Sequence, residues 1–133
     1  MIRLFACALV ALLGIGHAHA QALDPQELCR QHASAFLDAL DKNDYAGAGV
    51  DFDASMQTAL PPKKLEQEWT SLVSKYGKLN ARGQPHTAVD QGYIAVMVPL
   101  IFEHATLAAQ IACDTTGAVA GFHMVPLPEK AQF

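Results

Sequence analysis

The feature that most restricts the fold is a change of hydrophobic period at Gly77. Before it, apolar residues recur at three- and four-residue spacing, the mark of helices with one buried face. After it they alternate or run together, as strands do. A chain ordered in this way builds an α+β domain, with its helices on one face of an antiparallel sheet. Its 133 residues are enough for one such core and too few for two.

Asp24-Pro25-Gln26-Glu27 reads as a helix start, with Asp24 placed to accept from a first-turn amide and Glu27 completing a capping-box arrangement. Leu23 and Leu28 fit a hydrophobic staple. Leu28, His32, Phe36 and Leu40, flanked by Ala33 and Leu37, make the apolar face of this helix, which should end near Lys42-Asn43. Residues 44–50 read as a short helix or turn, and Asp53 can cap a brief helix that ends before Pro61-Pro62. Pro62 then opens a longer helix carrying Leu65, Trp69, Leu72, Val73 and Tyr76 on one side, with Gly77 as its stop.

Strands are predicted over 93–102, 105–114 and 118–125, with a weaker one over 78–84, giving a curved four-stranded antiparallel sheet. Both faces of 93–102 are apolar: Ile94, Val96, Val98, Leu100 and Phe102 on one, Tyr93, Ala95, Met97 and Ile101 on the other. The helices can cover only one face. Either the sheet curls around its own core, or the second face meets another copy in a homodimer.

Arg3, the apolar run from Leu4 to Ile15 and Ala18-His19-Ala20 together read as a secretion signal, cleaved after Ala20. The apolar run is shorter than the roughly 20 residues needed to span a bilayer, and 94–102 is only strand-sized. The expectation is a cleaved signal over 1–20 and a single domain over 21–133, periplasmic or secreted, with no membrane span after cleavage. Of the three cysteines, Cys29 and Cys113 then remain, as a disulfide in an oxidising compartment or as two separate buried thiols. Lys+Arg 9 against Asp+Glu 13 offers no basic surface for phosphates, which excludes nucleic acid as a partner.

The order Ala33-x-x-Phe36, Leu40, Asp44-Tyr45, Phe52-Asp53-x-x-Met56, Ala59-Leu60-Pro61, Leu65-x-x-x-Trp69, Gly77, a strand over 96–102 and Asp114-x-x-Gly117-x-x-x-Gly121 resembles a bacterial family of domains of unknown function. That family occurs alone in secreted proteins or in front of alpha/beta-hydrolase domains, and it is similar to the nuclear transport factor 2-like, cystatin-like cone superfamily. The resemblance covers nearly all of the chain after residue 20 and rests on core and turn residues. It implies a cone-shaped, helix-covered curved sheet with a pocket at its open end, often dimerising through the sheet. It brings no catalytic residue.

The chemistry-bearing residues agree with that. No serine sits in Gly-x-Ser-x-Gly, no Gly-Lys-Ser/Thr follows Gly47 and Gly49, and His32, His86, His104 and His123 stand at no zinc-ligand spacing, so neither metal nor cofactor is expected. His104 reads as turn chemistry beside Glu103, Asp53 as a helix cap, and Tyr45 and Trp69 as core aromatics. The candidate pocket residues are Tyr45, Trp69, Tyr93, His32 and His123. These readings describe an exported, non-catalytic domain that binds a small apolar ligand or another protein. The alternative is a small enzyme of isomerase or hydratase type, using a pocket carboxylate such as Asp51 or Asp53 with a histidine or tyrosine.

Overall fold

A computed structural model describes residues 21–127; the expected signal over 1–20 lies outside the described residues. The helices are α1 Pro25–Asp41, α2 Tyr45–Ala48, α3 Ala54–Ala59 and α4 Pro62–Tyr76, followed by strands β1 Leu79–Arg82, β2 His86–Asp90, β3 Tyr93–Phe102, β4 Thr106–Cys113 and β5 Val119–Pro126. Helices come first and an open antiparallel sheet follows.

Local chemistry sets most of the boundaries. Asp44 Oδ1 accepts from the Gly47 amide at 2.9 Å and Asp53 Oδ1 from the Met56 amide at 2.7 Å, capping α2 and α3. The chain leaves α4 through Gly77 at φ 81°, a conformation that costs residues with a Cβ. The start of α1 departs from expectation. Pro25 occupies its first turn, but the Asp24 side chain makes no capping hydrogen bond. Glu27 pairs instead with Arg30 at 3.1 Å and accepts from Gln31 Nε2 at 3.3 Å, along the helix surface. Nor does Leu23 form a staple. It is 52% exposed, while Leu28 packs over the turn at Gly117.

The sheet has five strands rather than the expected four, in the order β1-β3-β4-β5 with β2 also paired to β3. β1 and β2 share one edge of β3, β1 opposite Leu100 to Phe102 and β2 opposite Tyr93 to Met97. Between them the Gly83 backbone lies against Pro99, donating to its carbonyl at 2.8 Å. β2 escapes sequence reading because it is polar and almost wholly exposed, so no apolar alternation marks it. It returns into β3 through Gln91 and Gly92, both at positive φ, the geometry of a two-residue type I′ hairpin turn.

One face of β3 is buried under the helices through Ile94, Val96, Val98, Leu100 and Phe102. Trp69 of α4 closes over that layer, its ring 6.1 Å from Phe102, and Phe36 of α1 meets Phe52 at 5.5 Å and Phe122 at 4.8 Å. Cys29 and Cys113, both fully buried, are joined in a disulfide that ties α1 to the end of β4. Arg82 ties α1 to the opposite side of the sheet, bonding Asp38 at 2.7 Å and also Asp41. In the turn before β5, Asp114 Oδ1 accepts from the Thr116 hydroxyl at 2.6 Å and from the Thr116 and Ala118 amides. The Thr116 hydroxyl above all, aided by the turn amides and opposed by desolvation, holds the Asp114 carboxyl below the ordinary carboxylate range. On the other face of the sheet Tyr93, Ile101 and Val125 remain 53%, 40% and 37% exposed.

Candidate functional site

Leu60, which ends α3, separates two open hollows. The first, about 310 Å³, lies between α4 and β5; Leu60, Leu72, Phe122 and Met124 form its apolar floor, and Lys64, Glu68 and His123 its rim. Strand alternation puts Phe122 and Met124 on the helix-covered side of the sheet, and the helical i, i+4 spacing puts Lys64, Glu68 and Leu72 along one line of α4. Lys64 Nζ donates to the Ala59 carbonyl at 3.2 Å. Glu68 has no hydrogen-bond or ion-pair partner among the described residues. The second hollow, also about 310 Å³, is bounded by Tyr45, Val50, Phe52, Gln57, Leu60 and Pro61.

The candidate residues fall in five places. Tyr45 borders the second hollow, with its hydroxyl donating to Asn43 Oδ1 at 3.0 Å, and His123 rims the first. Trp69 is only 5% exposed and fills the core. Tyr93 stands on the opposite face of the sheet, beside the β2–β3 turn. His32 lies elsewhere on α1, Nδ1 2.7 Å from the Gly117 carbonyl and Nε2 3.5 Å from Asp51 Oδ1. A carbonyl only accepts, so Nδ1 carries the proton of that bond and Nε2 faces the carboxylate. His32 thus holds α1 to the Asp51 loop and to the β4–β5 turn, and neither it nor Asp51 lines either hollow. Asp53 is a cap, as expected. Among the described residues no group of three His, Cys, Asp or Glu is placed to hold a metal ion, and no helix is long and apolar enough to cross a membrane.

Sequence reading passed over Leu60, Glu68, Leu72, Phe122 and Met124. Each looks like an ordinary core or surface residue in its own element. Only the spacing between α4 and β5 makes them one surface.

A family described as "Protein of unknown function (DUF3887)" matches residues 33–122. No curated protein matches the chain. A solved structure that does match is the NMR structure of a protein from Ruminococcus gnavus ATCC 29149, with a TM-score of 0.57, 18% identity, and coverage of 74% of this chain and 89% of that one. At that identity the likeness is one of fold.

Proposed function

Since the chain belongs to the DUF3887 family of unknown function, we propose that it is an exported, non-catalytic binding module that receives an apolar group in the hollow between α4 and β5. The observation that carries this reading is the floor of Leu60, Leu72, Phe122 and Met124, open to water beside Glu68, which has no partner among the described residues. Apolar surface with a few polar groups at its rim is how binding clefts are commonly built. In the nuclear transport factor 2-like cone that the sequence resembles, such a hollow would sit at the open end. An apolar fluorescent probe such as N-phenylnaphthylamine should brighten on binding, and Leu72→Gln should weaken it at least tenfold while the protein stays folded by circular dichroism. Unchanged affinity in the folded variant would remove the hollow as the site.

The export part of the reading rests on the charged start, the short apolar run and Ala-His-Ala. Intact-mass measurement on protein recovered from a periplasm should give a chain beginning at Gln21 and lacking the two thiol hydrogens of Cys29 and Cys113. A full-length, reduced chain recovered only from cytoplasm would overturn export.

A second reading, compatible with the first, is self-association through the outer face of the sheet, favoured by the joint exposure of Tyr93, Ile101 and Val125 around Met97. Twofold pairing would cover both copies with one self-complementary contact. Sedimentation velocity should show a dimer that Met97→Glu dissociates. A wild type that stays monomeric at every concentration ends this idea. An acid–base enzyme has weaker support, because neither His32 nor Asp51 lines either hollow and Nδ1 is held by Gly117.

A further inference from the structure

Building on the reading of the hollow as a binding site, we propose that its occupant is an extended peptide from another protein, which adds as a strand to the free edge of β5. An apolar side chain of the peptide enters the hollow, and a basic one meets Glu68. The parity of the sheet supplies the edge. In an antiparallel ladder successive residues turn their N–H and C=O alternately to one neighbour and the other. The Phe102 amide donates to Ala105 at 2.8 Å and the Leu127 amide to Thr106 at 3.3 Å, which sets that alternation through β4 and β5. With Ala108 opposite Val125 and Gln110 opposite His123, it is Gly121, His123 and Val125 that bond to β4. Phe122 and Met124 therefore direct their backbone groups to the open side, and no described backbone group meets them there.

These are the same two residues whose side chains floor the hollow. Directly opposite residues in a sheet share a face. A strand added at this edge therefore carries its pocket-side residue into the hollow whenever its backbone pairs with β5. The chain already uses the start of the edge in this manner. The Val119 amide donates to Asp51 at 2.8 Å, the Asp53 amide donates to Val119 at 2.9 Å, and Phe52 between them is parallel to Val119 with only 5% exposure. At Asp53 the chain turns away into α3, and among the described residues no backbone group pairs with the edge from Phe122 onward. An incoming peptide continues a ladder that residues 51–53 begin, which is recognition by strand addition.

The size and charge of the site narrow the class further. At about 310 Å³ the hollow stands at the lower limit of small-molecule sites, roughly 300 to 1,000 Å³. It suits one large side chain anchored by a backbone better than a free drug-sized ligand. Glu68 at the rim, unpaired among the described residues, favours a lysine or arginine two positions from the apolar residue, on the same face of the added strand.

The test uses the cleaved chain with a panel of fluorescein-labelled, end-blocked heptapeptides: threonines around a central leucine, phenylalanine or valine, with a lysine two positions after it so that both side chains share one face. Fluorescence polarisation should show saturable binding by at least one member, and hydrogen exchange should show the Phe122 and Met124 amides slowed at least tenfold in that complex. N-methylating the peptide amides that face β5 should weaken binding at least tenfold. Glu68→Gln should weaken the lysine peptide several-fold but not its glutamine counterpart. Met124→Pro deletes one edge donor at a position where an edge strand tolerates proline and should also weaken binding tenfold; should it not fold, the N-methylated peptide still decides. Binding that ignores N-methylation, or that leaves both amides unprotected, overturns strand addition. If N-phenylnaphthylamine occupies the hollow while no peptide binds at millimolar concentration, the peptide inference fails and the apolar site stands; if neither binds, both fail.

Discussion

Deleting the cross-link, as in Cys29→Ala/Cys113→Ala, should cost the folded domain about 4.6 kcal/mol in the chain-entropy account of a closed loop. The bond joins residues separated by 84 positions, so it removes a large share of the conformations open to the unfolded chain. It also fastens α1, whose core residues lie far in sequence from the strands they cover. Against a typical total of about 5 to 15 kcal/mol, the loss should leave the variant marginal. Urea unfolding of the oxidised wild type and the double variant measures it directly. A difference below about 1 kcal/mol would mean that the unfolded chain is scarcely constrained by the bond. Both sulfurs are fully buried, so alanine also removes packed volume, and the measured loss contains that contribution as well.

Trp69→Ala should cost about 3 to 5 kcal/mol, the range for a large aromatic removed from a core. The ring is 5% exposed and meets Phe102, so truncation opens a cavity between α4 and the sheet that neighbouring side chains can fill only in part. The loss should appear as a lower urea midpoint with little change of slope, since the same surface is exposed on unfolding. A cost below about 1 kcal/mol would place Trp69 at the surface. Trp69→Phe should recover part of the stability, because it restores much of the apolar volume.

The contrast between these two sites and the hollow shows what could be read in advance. Trp69 stands at the centre of a helical stripe, and its burial follows from the positions of Leu65, Leu72 and Val73 around it. The pairing of Cys29 with Cys113 was one of two states open to buried cysteines, because proximity across 84 positions is no property of either neighbourhood. β2 was missed for a related reason: its residues face water, and its strand geometry comes from β3 and the Gln91-Gly92 turn. The Asp24 cap failed because a carboxylate with the right position in sequence need not turn toward the helix when it is exposed to solvent.

The sequence by itself determined the helices α1 and α4, the cap at Asp53, the stop at Gly77 and the buried alternation of β3, because each depends on residues within one or two turns or along one strand. Only the tertiary structure decided which cysteines meet, which strand is left at the edge and how far α4 stands from β5. Periodicity reports which side of an element is buried, but the distance between two elements is set by the side chains of both together with whatever packs beneath them. The hollow at Leu60, Leu72, Phe122 and Met124 is such a distance, and the open backbone of Phe122 and Met124 follows from β5 being last in the sheet order.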